Sequence, residues 1–392
     1  MKYVLGIDIG TTNTKSALFD EGVNLVDLEH QNYEIRHPRQ DWVEQTAEDW
    51  WQALVYTVRT LIDRNACRND VVALALSTQG GSLVLLDEQF RSIRPAISWM
   101  DSRAKETAQL LSQKITADEI YRMTGWGLCT GLVFPLLFWL NSKTPEIVNK
   151  TRYVASTIDY INALLSEKFC IDYTNLAMTE FIDIHNKDYW QQAIDLTGIR
   201  RDQLPRIVPS GKVIGRLTQK AAAQLGLTEK VLLVSGAHDQ YCASLGAGAV
   251  QIGDCVLSAG TAWALLATCD RLVFVDRAFA SSSQTAYPGV HAIDGKFGLM
   301  TSVPFGGNSL NWFRNTFRAD RSFEQIDKEA RASTPGTGGL RFVPVFQTGS
   351  GKGAFHGLDP VHTMADFTRA VYEGVALANR ENFELIGNLG IR

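Results

Sequence analysis

The sequence has no stretch long enough to cross a membrane. Its longest strongly apolar run, GLVFPLLFWL from Gly131 to Leu140, falls far below the roughly 20 residues a membrane helix needs and carries Pro135, so it is core material. No leader is legible either: the apolar stretch after Met1 and Lys2 meets Asp8 at once, and no small-residue cleavage site follows. Cysteine is sparse and scattered. Cys67, Cys129, Cys170, Cys242, Cys255 and Cys269 show no CxxC or CxxH spacing, which argues against a metal site and suits buried, reduced thiols. Charge of one sign is missing as well. With 38 Lys and Arg against 42 Asp and Glu, the formal charge of −4 advertises neither nucleic acid nor an anionic membrane as a partner. What remains is ordinary globular material, 45% hydrophobic and 20% charged over 392 residues, enough for more than one core. A cytoplasmic protein of more than one domain is expected.

The most informative stretch is YVLGIDIGTTNTKSALFD, Tyr3 to Asp20. An apolar run broken by Gly6 and Asp8 predicts a buried strand, and Ala17-Leu18-Phe19 predicts its hairpin partner. The turn between them is crowded with groups that handle phosphate. Gly10 lets an anion approach the backbone, Thr11, Thr12 and Thr14 offer hydroxyls, Lys15 offers positive charge, and Asp8 can hold a hydrated Mg²⁺ near a nucleotide's phosphates. A polar hairpin turn beside a satisfied aspartate reads the same way, so the stretch alone does not decide.

Further along, residues 23–35 can supply a third antiparallel strand, and Trp50, Leu54, Val58 and Leu61 recur at helical spacing between about Ala47 and Asp63, with Thr46 as N-cap. Val71 to Leu76 is a continuous apolar run of the kind found in a strand covered on both faces. It ends in Ser77-Thr78-Gln79-Gly80-Gly81, where a ligand crevice is expected. Ser82 to Asp87 predicts another strand. Trp99, Asp101 and Arg103 suit sugar recognition, the ring covering a C–H face and the charged groups bonding hydroxyls, although a strand end with an ion pair fits the same residues. Residues 115–230 are mostly helical by pattern and read as elaboration on a core.

Val231 to Gln240 again predicts a buried strand, a glycine turn and then His238-Asp239-Gln240 at a helix start. Asp239 reads equally as an N-cap or as a carboxylate able to accept a proton from a substrate hydroxyl. Asp254 to Thr268 then repeats the opening design, strand, Gly260-Thr261 turn, strand, which marks an internal duplication. Strands over 297–303 and 340–346, helices over 308–317 and 323–332, and a long helix over about 365–387 complete the chain. The glycine-rich Gly349 to Gly353 is not a P-loop, because Phe346 stands where its first glycine belongs and Gly353 where Ser or Thr belongs.

Taken together, these motifs resemble the FGGY family of carbohydrate kinases, within the actin, Hsp70 and hexokinase superfamily. GIDIGTTNTK is similar to the family's first phosphate motif, SAGTAW to its second and GAHDQ to its catalytic block. Gly353 to Leu358 with Asp366, Phe367, Ala370, Val371, Tyr372 and Glu373 fits its second signature. The resemblance implies an α/β fold of two ribonuclease-H-like, actin-like ATPase domains with a cleft between them, residues 1–248 for sugar and catalysis and 249–392 for nucleotide. It implies ATP and Mg²⁺ as cofactors, Asp239 as general base, Asp8 on the metal side, and phosphates placed by Thr11, Thr12, Asn13, Lys15, Gly260 and Thr261. The sugar is expected among Gln79, Gly80, Gly81, Trp99, Asp101, Arg103 and Gln240. A ketose or polyol is the expected acceptor, and a homodimer is in keeping with the family; a non-catalytic sugar-binding relic is the alternative.

Three departures accompany the resemblance. Gly80-Gly81 stand where glycerol kinases carry Arg-Glu and xylulokinases Met-His, which leaves room for a different or larger sugar. Leu136 replaces the usual lysine after Pro135. The family continues past the last helix into an adenine-binding segment, so the second domain is expected to be incomplete, through truncation, an interrupted gene or a natural short form.

Overall fold

In the computed structural model, which describes residues 1–260, 262–275, 286–303, 305–344 and 353–391, the opening stretch sets the first sheet. Along Tyr3–Ile9 (β1) the side chains of Leu5, Ile7 and Ile9 are buried while Val4, Gly6 and Asp8 turn to the opposite face, the period-two alternation of a pleated strand. Asn13–Phe19 (β2) returns antiparallel to it, and Leu25–Asn32 (β3), shorter than the expected 23–35, pairs antiparallel with β2. Ala47–Asn65 (α1) packs on β2 and β3. Its Trp50, Leu54, Val58 and Leu61 are fully buried, each stabilising the fold by about 1.5–3 kcal/mol relative to exposure. Thr46 takes the N-cap position but its hydroxyl makes no capping bond; Glu48 and Asp49 in the first turn complement the helix dipole instead.

Val71–Thr78 (β4) lies parallel to β1 on the side away from β2. Val213–Arg216 (β5) and Leu232–His238 (β6) complete a six-stranded sheet in the order β5-β6-β4-β1-β2-β3, with β6 parallel to β4 and β5 antiparallel to β6. Residues Val84–Leu86 do form a strand, as expected, but it pairs with Tyr153–Ala155 outside this sheet. The apolar run near 131–140 is the buried helix Val133–Lys143 (α2). Thr157–Ser166 (α3) and Tyr173–Ala177 (α4) follow, and Asp239–Gly246 (α5) leaves the end of β6.

The start of α3 carries a testable feature. The Asp159 carboxylate accepts the Ser156 backbone N–H at 2.9 and 3.0 Å as well as the Ser156 hydroxyl. Burial pushes this carboxyl up to about 7 from 3.8, against the opposing effect of those bonds. The folded form therefore keeps the proton to higher pH than the unfolded chain does, so the contribution of this group to stability is full below about pH 4 and is lost as the pH rises through 7. Melting curves of Asp159→Asn are expected to depend less on pH between 4 and 7 than those of the parent; equal slopes would overturn the assignment.

The chain divides into two compact units, Met1–Cys242 with Gly289–Lys296, and Ala243–Pro288 with Phe297–Arg392. In the second, Cys255–Ala259 (β7) and Trp263–Cys269 (β8) form an antiparallel hairpin. With Ala286–Val290 (β9) and Phe297–Val303 (β10), the sheet order is β7-β8-β10-β9, and β10 is antiparallel to β8. The sequence β7-β8-β10 thus repeats the plan of β1-β2-β3, as the duplicated motif predicts. Gly306–Phe317 (α6), Phe323–Ala332 (α7) and Met364–Asn388 (α8) match the expected helices to within two residues. The expected 340–346 strand is Arg341–Val343; Gly349 to Lys352 lie outside the described residues. Gly374 on α8 is required by contact, since a Cβ there would stand 2.2 Å from the Phe342 carbonyl oxygen.

All six cysteines are free, and Cys255 is exposed rather than buried. Among the described residues no helix is long and apolar enough to cross a membrane.

Candidate active site

Sheet register builds the centre of the site. In one row across the first sheet, Lys15 of β2 pairs with Asp8 of β1, which pairs with Ser77 of β4, and Ser77 pairs with Ala237 of β6. The next row places Thr78 opposite His238, so Asp239 follows at the carboxyl end of β6. The Ser77 hydroxyl donates to Asp8 Oδ1 at 2.7 Å. Burial raises the Asp8 carboxyl above its ordinary range; the Ser77 bond opposes this, the Asp239 charge adds to it, and Lys15 and His238 offset it. Asp8, Lys15, His238 and Asp239 therefore share one local field. Asp239 Oδ1 lies 3.3 Å from His238 Nε2 and, among the described residues, has no hydrogen-bond partner.

The Gly10 turn is held from behind. Its carbonyl accepts the Tyr33 hydroxyl at 2.5 Å, its N–H donates to the Asn13 carbonyl at 3.0 Å, and the Thr12 carbonyl accepts the Tyr33 N–H at 3.1 Å. The Thr11 carbonyl accepts Gln45 Nε2 at 2.8 Å, and its hydroxyl accepts Trp99 Nε1 at 3.1 Å. Asn13 Nδ2 donates to the Thr12 hydroxyl at 3.2 Å. Thr12 and Lys15 are left exposed beside Asp8. In the second unit, the Gly260 carbonyl accepts the Gly307 N–H at 3.1 Å, which ties that turn to the start of α6; Thr261 lies outside the described residues.

Of the expected sugar-side residues, Gly80 lies against His238, the neighbour of Asp239, and Gly81 against Trp99, while Gln240 follows Asp239 on α5. Gln79 donates its N–H to the Ile9 carbonyl at 2.8 Å and its amide to Gln45 Oε1 at 3.3 Å, so it abuts the Gly10 turn. Two expectations are corrected. The side chains of Asp101 and Arg103 are closed to solvent and paired at 2.7 Å; Asp101 Oδ2 also accepts the Val43 N–H at 2.6 Å, while Arg103 reaches Glu44 at 2.9 Å and lies 3.8 Å over the Trp42 ring. Closed to solvent, this pair braces the segment that carries Trp99 and is not open to a sugar as expected, although Arg103 Nη1 makes no hydrogen bond among the described residues.

Nor do Gly80 and Gly81 leave room. A Cβ on Gly80 would meet Met178 Cγ at 2.5 Å and His238 Cδ2 at 2.7 Å, and one on Gly81, whose φ is +77, would meet Leu132 Cδ2 at 2.4 Å. The space a side chain would take at the glycines is filled by Met178, His238 and Leu132, not left open as expected. Met178 and Leu132 come from the 115–230 region, which is more than elaboration. Gln45, Tyr33 and Met178 carried no sequence signal of their own, because only strand register and long-range packing bring them here; Ser77 stood in the expected crevice segment at the end of β4.

The donor set suits Mg²⁺. Asp8 and Asp239 are two carboxylates in one field, and Asp239 Oδ1 makes no hydrogen bond among the described residues. Mg²⁺ commonly takes one or two carboxylates and completes its shell with water and phosphate.

Two α/β units, each opening with a Gly-Thr hairpin and adding a third antiparallel strand, define the actin-like ATPase class. Within it, the description "FGGY family of carbohydrate kinases, N-terminal domain" matches residues 3–246, and the chain belongs to this family, whose members transfer a phosphoryl group to a sugar with ATP as donor. It is 27% identical over 403 residues to the xylulose kinase of Bacillus subtilis strain 168, covering 100% of this chain and 78% of that protein. It is 26% identical to the gluconokinase of the same organism, covering 95% and 74%. The ligand-bound xylulose kinase structure from Lactobacillus acidophilus superimposes with a TM-score of 0.88 at 26% identity, over 97% of this chain and 78% of that one.

Proposed function

We propose that this chain phosphorylates a hydroxyl of a ketose or polyol, with Asp239 as the general base. The observation that carries the reading is Asp239 Oδ1 at the end of β6, which makes no hydrogen bond among the described residues, lies 3.3 Å from His238 Nε2 and acts on the same field as Asp8. Asp239 takes the hydroxyl proton as the sugar oxygen forms a bond to the γ-phosphorus; the bond from that phosphorus to the bridging oxygen breaks, and ADP leaves with the electron pair. Thr11, Thr12, Asn13 and Lys15 receive phosphate oxygens, and Gly260 and Thr261 are the matching phosphate residues of the second Gly-Thr hairpin. Asp8, oriented by Ser77, holds Mg²⁺, which supplies charge compensation to the phosphates. Gln79, Gly80, Gly81, Trp99 and Gln240 border the sugar, with Met178 packed against Gly80. The sugar side is assigned to residues 1–248 and the nucleotide side to 249–392. No covalent intermediate is required; alignment and electrostatics carry the rate.

The names of the relatives bracket a five-carbon ketose and a six-carbon aldonate at nearly equal identity, 27% and 26%, so they do not choose between them. A coupled ADP assay over ketoses, polyols and aldonates is the test. ADP release is expected only with ATP, Mg²⁺ and one class of acceptor together; a panel without any acceptor-dependent release refutes the proposal.

A further inference from the structure

A buried polar bracket stands behind Asp239. Asp172 sits at the N-cap of α4 and is 1% exposed. Its Oδ1 accepts the Thr174 N–H at 2.8 Å, the Asn175 N–H at 3.2 Å and the Thr174 hydroxyl at 2.5 Å, while Oδ2 accepts Asn175 Nδ2 at 2.7 Å. The carboxylate is acceptor-only, so it dictates the direction of both neighbours. Thr174 has given its one proton to Asp172, and its oxygen accepts the His238 backbone N–H at 2.7 Å. Asn175 has turned its amide nitrogen to Asp172 and presents Oδ1 to the Thr78 hydroxyl at 3.1 Å. One carboxylate thereby ties together the carboxyl ends of β4 and β6, the residues before Gln79 and before Asp239. Thr174, Asn175 and Thr78 are all within 1% of full burial, so no water competes for these bonds.

We infer that Asp172 is a positioning residue with two separable arms: through Thr174 it sets the direction of Asp239, and through Asn175 it sets the Gln79-Gly80 side of the sugar bay. The inference rests on Asp239 being the general base. Its Thr174 arm acts on the step in which the proton moves. The Asn175 arm acts on how the sugar is seated, because Thr78 precedes Gln79. A displacement of about 1 Å in a reacting group is enough to cost on the order of 100-fold in rate.

Thr174→Val keeps the shape and removes the acceptor for the His238 N–H; Thr78→Val removes the donor to Asn175. Thr174→Val is expected to lower kcat roughly 10–100-fold with sugar KM within about 3-fold of the parent, and Thr174→Ser to restore kcat to within about 3-fold. Thr78→Val is expected to raise sugar KM about 10-fold with a smaller change in kcat. A bracket that only stabilises the fold would lower the melting temperature and leave kcat and KM of the folded fraction unchanged in both variants, which overturns the inference. Equal shifts of kcat and KM in both variants also overturn the two-arm assignment. Should Thr174→Val fail to fold, the kcat of Thr174→Ala measured at low temperature takes its place, with the same two outcomes. Asp239→Asn run alongside separates the cases: if it abolishes turnover and the Thr174 variant does not reduce it, the bracket is wrong and the base assignment stands.

Discussion

Asp239→Asn is expected to lower the turnover of this kinase by about 10²–10⁴-fold, the range lost when a positioned general base is removed. The substitution keeps size and shape and removes the only feature needed for the step, a carboxylate able to take a proton. Its surroundings make the change interpretable. Asp239 Oδ1 has no hydrogen-bond partner among the described residues, so the amide breaks no such bond at that oxygen. The Asp239 charge raises the Asp8 carboxyl, so the neutral amide relieves Asp8 of that repulsion and lets it ionise more readily. Sugar and nucleotide affinity are therefore expected to be retained while the chemical step fails. Single-turnover ADP release, paired with the thermal shift produced by the sugar, reads both quantities at once. Turnover within a few-fold of the parent would remove Asp239 from the role of base.

The second large effect is structural. Gly236→Ala is expected to destabilise the first unit by about 3 kcal/mol or more, the upper end of what overpacking costs. A Cβ at Gly236 would lie 1.7 Å from the Leu76 carbonyl oxygen and 2.7 Å from its carbon. These are backbone atoms of β4 and no rotamer change can move them. The contact arises where β6 shifts register against β4 between Val234 and Ala237, two residues before the site segment His238-Asp239. Strain here therefore reaches Asp239 as well as the sheet. Gly246→Ala is the matched control: its Cβ meets nothing within 4 Å, and a change within about 1 kcal/mol is expected. Denaturant midpoints of the two variants check the contrast, and equal midpoints would refute it.

Much of this architecture was legible before any coordinates. The alternation of Leu5, Ile7 and Ile9, the turn chemistry at Gly10, the helical spacing of Trp50, Leu54, Val58 and Leu61, and the repeated Gly-Thr hairpin are local patterns, and the elements formed nearly where those patterns placed them. Local patterns report which face of a strand or helix is apolar. They do not report what fills the space opposite a glycine. Gly80 and Gly81 read as room for a larger sugar and proved to be packed against Met178 and Leu132. Asp101 and Arg103 read equally as sugar ligands or as an ion pair at a strand end, and they form an ion pair closed to solvent to which Val43 and Glu44 add further partners.

The sequence by itself determined the kind of units and the two Gly-Thr hairpins, and it pointed to the carboxylates Asp8 and Asp239. Only the tertiary structure decided that these carboxylates share one field, that Met178 packs against Gly80, and that Asp172 is tied through Thr174 to the His238 N–H. The reason is physical. Strand and helix periodicity is written within a few consecutive residues, whereas bonds such as Thr78 to Asn175 join positions 97 residues apart. Such pairs are selected by packing and by the requirement that buried polar groups find partners, neither of which has a sequence period.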